Sequence, residues 1–245
     1  MTAQMVARVA ALYRFPVKSM GGESLERVAL QWHGLDVDRG FVFVKAGSLA
    51  RFPWLTARDV PDLVRYSARL TDHQNTRKSA VLVRTPSGEE LPVDSPLLRE
   101  SLERQADGPL QLLHPGRGAH DVAMLSVIGT GSVQALSERV GKELDIRRFR
   151  QNIVLEPLDP TPFVEESWTG RQIVFGLDPD SPAAARVRLL RRDHRCMIVN
   201  LDPDGGGQNP AVLREIAAWR ENCLGLYATV EAQGLLEVGT PVYLA

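Results

Sequence analysis

Hydrophobic and polar positions along the chain alternate in short runs. Val64, Tyr66, Ala68 and Leu70 alternate with Arg65, Ser67 and Arg69, the period-2 pattern of a half-buried strand. Phe41 to Val44, Ala80 to Arg84 and Leu110 to Leu113 are rich in β-forming residues and predict further strands, with a turn at Ser87-Gly88. Three stretches carry a helical period instead. One follows Asp94-Ser95-Pro96, with proline at the first helical position and Leu98 and Leu102 on one face. A second follows Thr130-Gly131-Ser132, places Val133, Leu136 and Val140 together, and stops at Gly141. A third follows Asn209-Pro210 with Val212, Ile216 and Trp219 aligned, and leaves Cys223 at its end. Beyond it, Leu224, Leu226, Ala228 and Val230 alternate again, glycines at 234 and 239 break the next segment, and Pro241 to Leu244 reads as a final strand. Short strands between glycine turns with few helices predict a β-rich α+β chain built on a barrel or sandwich.

At 245 residues the chain can hold one large domain or two small ones. The Gly- and Pro-rich stretch Asp107-Gly108-Pro109 to Gly116-Arg117-Gly118 is the natural boundary, giving units 1–115 and 116–245. A net charge of −1 offers no reason to expect nucleic acid or a membrane surface as partner. No apolar run is long enough to span a bilayer, and Met1-Thr2-Ala3-Gln4-Met5 lacks the regions of a signal peptide. With two cysteines, Cys196 and Cys223, no disulfide framework is implied, and a reducing, cytoplasmic setting is expected.

The most suggestive chemistry lies at Arg191-Arg192-Asp193-His194-Arg195-Cys196. A thiol beside cationic side chains loses its proton more readily, and the thiolate is both a soft metal ligand and a nucleophile. A small core residue entering a strand is the other reading of the same cysteine. Cys223, between Asn222 and Leu224, lacks that setting and reads as structural. Cationic and small polar residues recur beside turns: Lys18-Ser19, Arg39, then Arg147, Arg148 and Arg150 before Asn152. Together they suit an anionic, phosphate-bearing ligand, and singly they suit a solvated face. No P-loop, G-x-S-x-G elbow or G-x-G-x-x-G fingerprint is present, and the histidines at 33, 73, 114, 120 and 194 have no zinc-ligand spacing. Asp202-Pro203-Asp204-Gly205 resembles a calcium-loop start, but the twelfth position is Leu213, so it reads as a turn.

From Arg195-Cys196 to that Asp-Pro-Asp-Gly turn, the chain resembles the MOSC family, which takes its name from the C-terminal domain of molybdenum-cofactor sulfurases. The family pattern there is an Arg-Cys pair, a strand, then the turn. The likeness extends through Phe15-Pro16-Val17-Lys18-Ser19, Asp38-Arg39 and Leu55-Thr56-Ala57-Arg58. It continues through Leu125-Ser126, Phe149-Arg150-Gln151-Asn152-Ile153-Val154, Phe163 to Gly170, and then Tyr227, Glu231, Gly234 and Val238-Gly239-Thr240-Pro241-Val242. The resemblance implies a β-rich N-terminal domain packed on a MOSC β-barrel with small helices. It also implies molybdenum cofactor at the junction, with Cys196 as the one protein ligand to the metal. Lys18, Ser19, Arg39, Ser126, Arg150, Asn152, Arg195 and Tyr227 then map onto the pterin-phosphate contacts. Apart from the resemblance, Asp193 or His194 beside the cysteine is the candidate acid that supplies protons. The implied activity is reduction of N-hydroxylated or N-oxygenated small molecules. The electrons must come from an external flavoprotein, ferredoxin or cytochrome, since this sequence has neither a dinucleotide fingerprint nor the cysteines of an iron–sulfur relay. A cofactor carrier without catalysis, and a sulfur carrier holding a Cys196 persulfide, are the alternatives on the same site. The sequence departs from the amidoxime-reducing branch of the family near the cysteine, where Cys-x-Arg-Cys is replaced by Asp193-His194-Arg195-Cys196, and at Gln151, where the branch has proline.

Overall fold

The computed structural model describes residues 3–76, 78–205 and 207–245, so Met1 and Thr2 of the N-terminal reading lie outside the described residues. Seven strands close a barrel: β1 (Gln4–Arg14), β2 (Leu125–Gly129), β3 (Ile153–Pro157), β4 (Gln172–Phe175), β5 (Ala185–His194), β6 (Cys223–Ala232) and β7 (Pro241–Leu244). Their order is β3-β2-β6-β5-β4-β7-β1, and β1 returns to pair with β3. All pairs are antiparallel except β2 with β3, which are parallel. Parallel neighbours need a crossover, and α2 (Thr130–Val140) supplies it. The chain is thus an α+β, β-rich protein built on a barrel, as its pattern predicts.

Inward residues of every barrel strand form one core: Val9 and Leu12 of β1, Val127, Ile153, Ile173, Leu189, Leu226 and Val242 among them. The N-terminal segment has a second core under a three-stranded sheet, Ser67–Leu70, Val81–Arg84 and Glu90–Pro92. Helix α1 (Pro96–Ala106) covers it with Leu98 and Leu102, both fully buried. The third core lies outside the barrel, where α2 and α3 (Ala211–Arg220) bury Val133, Leu136, Val212 and Ile216 against Ile128, Phe149 and Val154. Trp219 stays partly exposed, edge-on to Phe163. None of the helices among the described residues is long and apolar enough to cross a membrane.

Local outcomes differ from the pattern in three places. The alternation from Val64 to Leu70 begins as a short 3-10 helix, Pro61–Arg65, because Pro61 sits at its first turn and Leu63 and Val64 are both buried; the strand runs only from Ser67. Cys223 is not a helix end. Glu221 and Asn222 take left-handed backbone and stop α3, and Cys223 opens β6. The residues after Cys196 form a 3-10 turn, Met197–Asn200, instead of a strand. Met197 and Ile198 pack toward the N-terminal core while Val199 packs toward the helical one, a distribution that a flat strand cannot achieve.

Candidate functional site

Four segments converge between the barrel and the N-terminal sheet. The first leaves β1 at Phe15 and crosses over, bridging Val17 to Phe41 and Gly21 to Ser67. The crossing is tight: a Cβ on Gly22 would lie 2.1 Å from the Arg14 carbonyl oxygen, so only glycine fits. The second segment, around Asp38-Arg39, is laced to the first. Phe15 N–H donates to buried Asp38 Oδ1 at 2.8 Å, and Arg39 N–H donates to Phe15 O at 2.7 Å. The third ends the short 3-10 helix Ile146–Phe149 at Arg150, and the fourth carries β5 into Arg195-Cys196.

These segments enclose a cleft of about 310 Å³. All eleven residues singled out from the sequence line it: Lys18, Ser19 and Arg39 from the N-terminal side, Ser126, Arg150 and Asn152 from the floor, and Asp193, His194, Arg195, Cys196 and Tyr227 from the far wall. Ser19, Arg39 and Arg150 hold left-handed backbone, with φ of 65°, 50° and 52°. That conformation costs a non-glycine residue roughly 1–2 kcal/mol, and such strain collects where a side chain must be aimed.

Each charged group has a definite setting. Arg39 and Arg150 lie on the Phe15 ring, 4.6 and 4.4 Å from its centroid, and Arg39 Nη2 donates to Arg150 O at 2.8 Å. Arg150 also donates to Met20 O. Burial, and then the neighbouring Arg39 cation, press its pKa well below the ordinary value. Guanidinium keeps its proton inside proteins, so this pressure is relieved by an anion and not by proton loss. Lys18 is pushed the same way, chiefly by burial, although its Nζ donates to Ala119 O at 2.7 Å and to Asp121 at 2.8 Å. Ser126 and Asn152 hold one another, the hydroxyl donating to Asn152 Oδ1 at 3.2 Å.

On the far wall, Asp193 is buried and its Oδ2 accepts two hydrogen bonds. Gln151 Nε2 donates to it at 2.8 Å, and Arg195 Nη1 pairs with it. Arg195 Nη2 reaches Phe149 O at 2.7 Å, which leaves its buried Nε as a donor without a protein acceptor among the described residues. Burial and the Asp193 charge raise the Tyr227 phenol, which therefore stays protonated. His194 is exposed and lies against the Asn222 amide. Cys196 is half-buried at the start of the 3-10 turn, near enough to Arg150 for their charges to interact.

Sequence reasoning missed part of the lining. Arg58 closes the Leu55-Thr56-Ala57-Arg58 segment with nothing in the pattern to mark it as a contact, and Arg148 is indistinguishable by sequence from its arginine neighbours. His120 and Asp121 follow a glycine-rich stretch with no pattern to mark them. Burial, then the nearby Arg39 cation, lowers the His120 pKa to about 4, so the imidazole is neutral near pH 7.

A model of the MOSC domain matches residues 116–243, and a model of the MOSC N-terminal beta barrel domain matches residues 6–114. The mitochondrial amidoxime reducing component 2 of Macaca fascicularis is 26% identical over 136 residues, and the mitochondrial amidoxime-reducing component 1 of Danio rerio is 27% identical over 132. Each alignment covers 50% of this chain but 37% of the relative, so the chain spans little more than a third of the length of the curated relatives it matches. The YUAD protein of Bacillus subtilis superposes over 99% of this chain and 98% of its own with a TM-score of 0.52 at 14% identity, a likeness of fold alone.

Proposed function

The chain belongs to the MOSC family, and on that premise we propose that it is a molybdenum-cofactor-dependent reductase of N-hydroxylated or N-oxygenated small molecules. An association with molybdenum cofactor is the family-level content. The finer reading rests on one observation. A half-buried thiol shares a cleft with Lys18, Arg39, Arg150 and Arg195, cations that crowd one another and include a buried N–H with no acceptor among the described residues.

That donor set fits the group. A soft thiolate suits molybdenum, and several guanidinium and ammonium donors suit a phosphate ester. In this reading Cys196 is the one protein ligand to the metal. Lys18, Ser19, Arg39, Arg150 and Arg195 hold the phosphate-bearing pterin, with Ser126, Asn152 and Tyr227 offering polar contacts. When bound, the cofactor supplies a metal that accepts oxygen and exchanges electrons.

The chain's own residues do the rest. Conversion of an N–OH group to N–H and water consumes two electrons and two protons. His194, exposed at the cleft edge, is placed to hold a proton there. Asp193, already held by Arg195 and Gln151, is given a positioning role: it fixes Arg195 against the floor of the cleft. The chain divides in this reading into units 1–115 and 116–245, with β1 as the N-terminal unit's strand in the second unit's barrel. Its setting is cytoplasmic, although the relatives are mitochondrial by name. Electrons come from a separate flavoprotein, ferredoxin or cytochrome, and neither nucleic acid nor membrane is a partner.

The test is to mix metal-loaded protein with an amidoxime, first with NADH alone and then with reduced viologen. Turnover is expected with the viologen only. Turnover with NADH alone removes the external donor. Absence of turnover with either assigns the site to a cofactor carrier, and cyanide-labile sulfur on Cys196 assigns it to a sulfur carrier.

A further inference from the structure

A second, larger cleft of about 470 Å³ lies behind the first. The two share a wall, since Arg148, Arg150 and Ile198 line both. Cys196 and Lys18 face the first cleft, and neither lines the second.

The second cleft has two kinds of surface. Tyr13, Val64, Ile198 and Leu201 give it apolar sides, and its volume falls within the range of small-molecule sites. Its charged lining is five arginines against one carboxylate, Asp204. The arginines are not equally committed. Arg147 is held between Asp145 and Asp204. By contrast, the exposed Arg65 has a loose ion pair with Asp62 at 3.6 Å, the exposed Arg84 lies beside the Glu90 charge, and neither guanidinium donates a hydrogen bond among the described residues. Within the shared wall, Arg148 is 5% exposed, and its Nε has no hydrogen-bond partner among the described residues although its other nitrogens reach Asn200 O and Asp202. A buried N–H without an acceptor is costly, and two uncommitted guanidinium groups beside apolar walls can clamp a carboxylate or phosphate whose body rests on those walls.

We propose that this second cleft binds a small organic anion with a flat apolar body, an aryl phosphate or aryl carboxylate in chemical class. The site is distinct from the Cys196 cleft and does not depend on the molybdenum reading.

Isothermal titration with phenyl phosphate, benzoate, inorganic phosphate and benzyl alcohol tests it, on wild-type protein, the double variant Arg65→Ala/Arg84→Ala, and Lys18→Ala. Phenyl phosphate or benzoate is expected to bind at least roughly tenfold more tightly than inorganic phosphate and benzyl alcohol. The double variant should weaken that binding by at least about tenfold, the equivalent of one charge-assisted hydrogen bond. Lys18→Ala should leave it within roughly twofold, since Lys18 lines only the other cleft. Whichever of the two aryl anions binds more tightly identifies the head group. Three results overturn the proposal: inorganic phosphate binding as tightly as either aryl anion, loss of binding in Lys18→Ala but not in the double variant, or no binding of either aryl anion at about 10 mM, where even a millimolar site would be filled.

Discussion

Cys196 and Cys223 bring the same side chain into different surroundings. Cys196 opens onto the cationic cleft, whereas Cys223 begins a strand opposite His194, outside that lining, with burial raising its thiol pKa. Cys196→Ser should abolish activity and lose most of the metal with the fold intact, because serine keeps the size but not the soft sulfur. Cys223→Ser should cost no more than about 1 kcal/mol of stability and leave activity alone. Reversed effects in paired activity and denaturation measurements would exchange the roles. The cations make a second prediction. Arg39→Ala or Arg150→Ala removes charge-assisted bonds worth about 1.5–3 kcal/mol each, so pterin retained through gel filtration should fall in either variant and fall further in both. Full retention in the double variant would leave them only a structural role, through their bonds to Arg150 O and Met20 O. His120 gives the pH dependence. In the folded protein it takes up a proton only near pH 4, whereas the unfolded chain does so near 6.5. Its contribution to stability is therefore complete above pH 6.5 and is lost as pH falls toward 4, by about 2 kcal/mol between pH 7 and 5. Denaturant titrations across that range should show the loss, and His120→Gln should flatten it. An equal loss in the variant would place the acid sensitivity elsewhere.

The elements that were legible from sequence are those with uninterrupted periods. The strand at Pro241–Leu244 and the alternating Leu224 to Val230 of β6 follow the pattern, as do the buried faces of α1 and α2. Strand β1 did not announce itself, because its register shifts between Val9 and Ala11, and Arg14 is buried against Glu23. Such a bulge sends two consecutive residues to one side and erases alternation. Strand β5 is masked in the same way by shifts near Leu189 and Arg192. The 3-10 turn after Cys196 was misread because its apolar run is divided between two cores. That turn is held from outside: Asn200 Oδ1 accepts from Leu213 N–H at 2.9 Å in the first turn of α3, and Arg148 Nη1 donates to Asn200 O at 3.1 Å. Asn200→Ala keeps the second bond and loses the first, so it should cost about 1 kcal/mol by chemical denaturation. An unchanged midpoint would show that the packing of Val199 alone holds the turn.

At the scale of the whole molecule, the two halves are interleaved. The first strand completes a barrel whose other six lie beyond residue 124, and Arg150 reaches back to Met20 O while Arg39 reaches forward to Arg150 O. The candidate site was legible for a related reason. Apart from Lys18-Ser19 and the run from Asp193 to Cys196, its residues stand singly over 210 positions, and the family resemblance names nine of the eleven as one set that lines one cleft. What the residues alone could not supply was Arg58, His120 and Asp121, whose membership depends on how the loops fold over the barrel. The proposed function requires this cleft to hold a molybdenum-bearing pterin through Cys196. Elemental and pterin analysis of protein produced in a host that makes the cofactor, and purified gently, tests it most directly. Wild-type protein should carry about one molybdenum and one pterin per chain, and Cys196→Ser should lose most of the metal. Wild-type protein recovered with neither molybdenum nor pterin would contradict the account.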